Sequence, residues 1–281
     1  MSLLAISFPN LDPVAFSIGP VSVKWYGLAY MAGLLLGWLY IRKLLATPRL
    51  WLADRPPFPA VRVDDLLLYM TAGVILGGRL GFVLLYEPGY YLSHPADILA
   101  VWKGGMSFHG ALLGCGLACL LFARAHGTSP LSVMDLSAAA VPIGLFFGRL
   151  ANVINGELFG RVTSAPWGMV FPEAKLFHPA VEPATRHPSQ LYEAALEGLA
   201  LFLILRFLTH NRLALKRPGL VTAAFLIGYG VFRSFCEMFR EPHMGHALNI
   251  GPLTAGQLYS FAMIALGVVF LARAGRAEAN A

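Results

Sequence analysis

The residues best suited to chemistry stand in three places. The first is the fourteen-residue stretch from Gly148 to Arg161, which holds Arg149, Asn152, Asn155, Glu157 and Arg161 between glycines at 148, 156 and 160. On a helix, Arg149, Asn152 and Asn155 are three apart and share one face. Gly156 and Gly160 let the chain turn and let a ligand come close to the backbone. The second is Tyr229, Arg233, Glu237 and Arg240, spaced four, four and three. At about 100° per residue they fall in one stripe about 80° wide. The third is His109, in the run Met106-Ser107-Phe108-His109-Gly110. Arginine forks bind phosphate bidentately, and a phosphate inside a membrane belongs to a lipid headgroup. A histidine side chain can titrate near neutrality, which makes His109 the candidate base on this side. The three places together suggest a phospholipid-handling site reached from the bilayer. The chain has no nucleophile elbow, HExxH helix or P-loop. A transfer reaction would therefore take its nucleophile from outside.

Each of these residues also has a plainer explanation. Asn155 and Gly156 suit a helix end. Arg233, Glu237 and Arg240 suit an internal ion-pair ladder, although that stripe alone keeps one net positive charge, which favours an anion. A lone histidine near a helix start is usually a hydrogen-bonded structural group. Tyr26, beside Trp25 at the start of an apolar run, suits an interfacial aromatic belt.

The elements that must position these residues are membrane spans. Of 281 residues, 57% are hydrophobic and 13% charged, and mean hydropathy is +0.64, against about 25% charged in soluble domains. The pattern predicts an all-α polytopic membrane protein forming a single integral membrane domain over residues 1–281. Seven spans are expected, at about Trp25–Ile41, Leu66–Tyr86, Met106–Phe122, Leu136–Val153, Ser189–Phe207, Gly219–Arg240 and Leu253–Leu271. Twelve of the 21 basic residues fall in segments that this arrangement puts inside. Their bias predicts a periplasmic N-terminus and a cytoplasmic C-terminus. The remaining basic residues include Arg79, Arg149 and Arg233, deep enough that each must snorkel or find a partner. For Arg79 both outcomes stay open. The scattered basic residues do not form a nucleic-acid stripe.

Between spans, a proline-rich periplasmic loop region at about 156–188 has the length of a functional lid or binding loop. Ser189 is expected to cap the following span, with Gln190, Glu193 and Glu197 on one face. Gly77 and Gly81 should admit another helix closely, and Gly110 should leave room beside His109 for a bulky substrate. The proline-rich first 23 residues lack a basic leader and predict a short structured segment on the bilayer face rather than a cleaved signal. Cys115, Cys119 and Cys236 lie in apolar runs and are expected as packing residues. Neither a metal nor a cofactor is expected.

Five motifs, namely Trp25-Tyr26-Gly27, Met106 to Gly110, Gly148 to Arg161, Arg186 to Glu193 and Tyr229 to Pro242, closely resemble those of the bacterial prolipoprotein diacylglyceryl transferase family. The resemblance covers nearly the whole chain in the same order. It implies transfer of diacylglyceryl from phosphatidylglycerol to the lipobox cysteine thiol of a preprolipoprotein. The products would be a thioether-linked precursor and glycerol phosphate, as the first step of lipoprotein maturation in the bacterial inner membrane. Carried onto this chain, the resemblance implies His109, Arg149 and Arg233 as catalytic residues. It implies Tyr26, Asn152, Glu157, Gly160, Tyr229, Glu237 and Arg240 as substrate-binding residues near the periplasmic leaflet. The family often has a second glycine after its histidine motif where this chain has Ala111, for which slightly tighter packing is expected. A different-class alternative is a phospholipid transporter or flippase that binds the same headgroup without chemistry; broken helices with an internal repeat would favour it.

Overall fold

The computed structural model describes residues 6–8, 12–171, 184–241 and 254–279. The chain divides into two compact units, one of Ile41–Ser137 and the other of Met1–Tyr40 with Ala138–Ala281. In chain order the main elements are β1 (Ile6–Ser7), β2 (Val14–Ile18), β3 (Val21–Lys24), α1 (Trp25–Leu45), α2 (Val63–Leu85), α3 (Pro88–Ser93), α4 (Phe108–Ala125) and α5 (Pro130–Ile154). There follow β4 (Met169–Val170), β5 (Thr185–Arg186), α6 (Ser189–Glu193), a π-helical stretch at Ala194–Ala200, α7 (Leu201–His210), α8 (Leu220–Glu237) and α9 (Ala255–Ala279). The chain is mostly helical. Five helices, Trp25–Leu45, Ala60–Leu85, Pro130–Ile154, Leu220–Glu237 and Gly256–Ala274, are long and apolar enough to cross a membrane, and Gly110–Ala125 is a shorter apolar helix.

The helix at the expected fifth span runs from α6 through the π stretch into α7 without a break. It carries Glu193, Glu197 and Arg206 within its length, so its composition alone does not mark it as a span. Leu253 and Pro242 lie outside the described residues, as do Pro172, Pro179 and Pro183 of the loop.

In the unit Ile41–Ser137, α2 and α4 meet backbone to backbone. A Cβ on Gly81 would lie 2.6 Å from Gly110 Cα, and one on Gly77 2.8 Å from Gly114 Cα. Gly77 and Gly81 thus admit a neighbouring helix as expected, and α4 is that helix. The role expected of Gly110 needs correction. Its own Cβ would lie 2.8 Å from Gly81 Cα, so the space at Gly110 is taken by α2 and not by a substrate. Ser107 caps α4 by accepting from Gly110 N at 3.2 Å, and its backbone N–H donates to Gly78 O at 2.8 Å.

The alternatives for Arg79 close in favour of the interior. It is only 4% exposed, because its guanidinium serves as an internal cap for irregular backbone. Nε donates to Ile98 O at 2.9 Å, Nη2 to Asp97 O at 2.6 Å, and Nη1 to Gly104 O at 2.6 Å and Gly105 O at 3.1 Å. The cation also lies 5.1 Å from the centre of the Tyr91 ring. Backbone carbonyls without helix or strand partners must be satisfied somewhere; Arg79 satisfies three such, Ile98 O, Gly104 O and Gly105 O, and shares Asp97 O with Ala100 N.

In the other unit the residues ahead of α1 form a hairpin of β2 and β3, turning at Gly19 with φ 58°. This gives the expected N-terminal segment its structure. A second small sheet has the order β1-β4-β5, with Ile6 beside Met169 in parallel and Met169 opposite Arg186 in antiparallel register. Phe159 and Phe171 form a buried pair beneath it, with Phe8 and Met169 packed against them. The helices of this unit also approach through glycines. A Cβ on Gly33 would lie 3.1 Å from Gly144 Cα, and one on Gly198 2.7 Å from Phe146 Cβ. The second approach brings the π stretch onto α5 a short way before Arg149.

Candidate functional site

Four chain segments build the site. The end of α5 supplies Arg149 and Asn152 on one face, as their spacing predicts. Beyond Ile154 the helix stops in a glycine turn: Gly156 has φ 67°, and its N–H donates to Val153 O at 3.0 Å. The turn swings Glu157 back beneath the helix. Its Oε1 accepts from Asn152 Nδ2 at 2.8 Å and from Asn155 Nδ2 at 3.4 Å. Arg149 Nη1 in turn approaches Asn152 Oδ1 at 3.5 Å. The helix-end explanation of Asn155 and Gly156 is therefore correct, and it also serves to place Glu157.

The next residue, Leu158, has φ 60°, a backbone region a branched side chain seldom adopts and one found where the surroundings over-determine it. Those surroundings are visible. Leu158 O accepts from Ser189 Oγ at 3.0 Å, and Glu157 O accepts from Gln190 Nε2 at 2.6 Å. Ser189 was expected as an N-cap. It is instead the first residue of α6, and its hydroxyl is used to hold this loop. Gly160 then pairs with Arg240 in an isolated antiparallel bridge. Gly160 N donates to His187 O, and Arg161 N to Phe239 O, both at 2.8 Å. A side chain on Gly160 would run into Phe239 O and lie 2.7 Å from His187 Cβ. Arg186 Nη1 adds bonds to Gly160 O at 3.1 Å and Glu241 Oε2 at 2.9 Å. The described part of the loop is thus tied down by backbone pairing at both ends. Beside it, partial burial holds the His187 imidazole below the ordinary histidine range.

The third segment is α8 with the turn after it, carrying Tyr229, Arg233, Glu237 and Arg240. Arg233 Nη2 donates to Glu237 Oε2 at 2.9 Å, which is the first rung of the expected ladder, whereas Arg240 reaches Glu193. The larger finding is its link to α5 through two carboxylates that sequence reasoning placed on one face but did not assign to the site. Glu193 and Glu197 are both 0% exposed. Glu193 Oε1 accepts from Arg233 Nη1 at 2.8 Å and from Arg240 Nη1 at 3.1 Å. Its Oε2 lies 2.9 Å from Arg149 Nε, an ionic contact whose N–H is not aimed at the oxygen. Glu197 stands 3.6 Å from both Arg149 Nη2 and Arg233 Nη1, and neither of its oxygens accepts a hydrogen bond among the described residues.

These contacts change the expected charge balance. Among the described residues, Arg149, Arg233 and Arg240 face Glu193, Glu197 and Glu237, so the stripe's spare positive charge is matched by carboxylates from another helix. Buried charges persist only when paired in this way. The arginine side chains of 149 and 233 nonetheless keep 16% and 14% exposure, and each guanidinium has five donors. They are held but not used up, which is the arrangement an anion site needs. The signal for the missed pair was the spacing of Gln190, Glu193 and Glu197, legible as a face but silent about its partner.

The structure brings together Arg149, Asn152, Glu157, Gly160, Arg233, Glu237 and Arg240. Tyr229 is buried, stacks on Phe225 at 5.8 Å and lies within electrostatic reach of Glu197, Arg233 and Arg149. Tyr26 is half-buried, shares a 3.1 Å hydroxyl contact with Tyr30 and lies within electrostatic reach of Glu157 and Arg149. His109 falls in the first turn of α4, in the other unit, and its side chain lies outside the described residues. Cys236 is buried in α8 and Cys119 in α4, where Cys119 Sγ packs 3.8 Å from Met70 Sδ.

Fold and site together define a multi-pass membrane protein with a buried arginine and carboxylate cluster beside a tethered loop. Residues 13–273 match the family model of prolipoprotein diacylglyceryl transferase. A protein of Rhizobium meliloti is 49% identical over 280 residues, covering 99% of this chain and 98% of its own. One of Methylocella silvestris is 51% identical over 274 residues, covering 98% of this chain and 97% of its own. Both bear the name phosphatidylglycerol–prolipoprotein diacylglyceryl transferase. The chain belongs to the prolipoprotein diacylglyceryl transferase family.

Proposed function

We propose that this chain transfers the diacylglyceryl group of phosphatidylglycerol to the lipobox cysteine of preprolipoproteins, the first step of their maturation. The observation that carries the proposal, beside family membership, is the convergence of Arg149 and Arg233 from two helices on Glu193, with both guanidiniums still partly exposed. In the reaction the thiol loses its proton and attacks the glycerol carbon bonded to phosphate oxygen. A C–S bond forms, the C–O bond breaks, and its electron pair leaves on glycerol phosphate. The thiolate is the reactive form, from a thiol of pKa about 8.5. Arg149 and Arg233 hold the phosphate and stabilise the charge that grows on its leaving oxygen. Asn152 and Glu157 orient Arg149. Gly160 gives the loop its close approach to the turn after α8, and Tyr26, Tyr229, Glu237 and Arg240 complete the headgroup surroundings. For the proton acceptor, His109 is proposed on the family resemblance alone, and a fully active H109Q chain would remove it from that role.

The chain is proposed as one integral domain of seven spans in the bacterial inner membrane, N-terminus periplasmic and C-terminus cytoplasmic, with its site near the periplasmic leaflet. The charge bias of the loops supports this orientation. The carrier alternative has no support from the names of the relatives.

The test uses purified protein in detergent, phosphatidylglycerol, and a lipobox peptide with Cys or Ser at the acceptor position. Mass spectrometry should find a diacylglyceryl gain on the Cys peptide alone, lost in R149A and R233A. Bound phosphatidylglycerol without any gain would overturn the transferase proposal.

A further inference from the structure

We infer that Glu193 is a positioning residue for the transfer, a single buried carboxylate that fixes the separation and orientation of Arg149 and Arg233 toward the substrate phosphate. The inference rests on the proposed transferase activity and goes beyond it to a residue outside the implied site.

Glu193 cannot touch a substrate, being 0% exposed. Its two oxygens nevertheless contact three arginines from separate places in the chain: Arg149 of α5, Arg233 of α8 and Arg240 of the turn after α8. It sits at the end of α6, immediately before the π stretch, a feature that recurs at functional sites. Gln190, one turn earlier, holds Glu157 O. Glu193 and Gln190 therefore tie the arginines and the Glu157 loop to one short helix.

The physical consequence is a trade. A carboxylate competes with phosphate for the same guanidinium donors, so it weakens binding of the ground-state anion. It also presets those donors, so that little reorganisation is needed as charge develops on the leaving oxygen. Removing it should free the arginines to bind phosphate more tightly while aiming them less well, and a variant of that kind lowers kcat and KM together. A merely structural glutamate has a different signature. Its loss would lower the amount of active protein, with KM unchanged or raised.

The experiment measures diacylglyceryl transfer to the lipobox peptide at varied phosphatidylglycerol, for the parent, E193Q and E193D, with size-exclusion profiles in detergent to report folding. For E193Q we expect kcat about 30-fold lower with KM about threefold lower. E193D keeps the charge but draws it back by one methylene, so KM should stay near the parent value while kcat falls about tenfold. A KM that rises, or a kcat within twofold of the parent, overturns the inference. If E193Q does not fold, E193D carries the test, with unchanged kcat as the refuting result. The parent run alongside separates the two ideas. An inactive parent refutes the transferase proposal, whereas an active parent with a fully active E193D refutes only the role of Glu193.

Discussion

Replacing Gly160 by alanine should disable the site while leaving the helices in place. An added Cβ would lie 2.7 Å from both His187 Cβ and His187 O and would collide with Phe239 O. Two of these three atoms are backbone, so no rotamer change can relieve the clash. The strand segments must separate, and the bonds from Gly160 N to His187 O and from Arg161 N to Phe239 O, both 2.8 Å, lengthen or break. Overpacking costs about 1–3 kcal/mol and each backbone hydrogen bond contributes about 1 kcal/mol. The lower end of that sum, about 3 kcal/mol, moves the closed bridge toward open by roughly 100-fold. Arg240 lies in that bridge and reaches Glu193, so opening it shifts the arginine cluster. The expected result is a loss of transfer of about 100-fold, measured by mass spectrometry of the lipobox peptide. Amide exchange at residues 160–162 and 238–241 should quicken, while α5 and α8 keep their protection. Transfer within twofold of the parent, with exchange unchanged, would refute the reasoning.

Asn152→Asp should be worse than Asn152→Ala by about tenfold in kcat/KM, because it sets a second carboxylate against Glu157 at the position of a 2.8 Å donor bond. Steady-state kinetics of the two variants decide it. Arg79→Gln, with two N–H groups at most, should leave at least one of Ile98 O, Gly104 O and Gly105 O without a donor. At about 1–3 kcal/mol for each buried unsatisfied group, little folded protein should elute by size exclusion, with Arg79→Lys partly restored. Acid should weaken the loop at His187. Burial lowers its folded-state pKa beneath the unfolded value of about 6.5, so its contribution is complete above that pH and is lost as pH falls toward the folded-state value. The unfolding midpoint should drop between about pH 7 and 5, and H187Q should flatten that part of the slope.

Local features of this chain could be read from the sequence because they follow from periodicity along one helix and from the cost of charge among apolar residues. Arg149 and Asn152 on one face, the Arg233–Glu237 pair and the glycine turn after Ile154 are of this kind, and all three are observed. So is the admission of a helix at Gly77 and Gly81, although the sequence did not name α4. The sequence left Arg79 undecided because snorkelling and burial require the same residue at the same depth. Only the folded loop, with four carbonyls converging on one point, decided it. It assigned Gly110 to a substrate because nothing local reveals that α2 fills the space. It counted a spare positive charge because Glu193 lies 40 residues from Arg233. A helix face predicts which residues point together, but not which other face they meet. That depends on the rotation and packing of whole helices, and here the close approach of Gly198 to Phe146 brings the carboxylates to the arginines.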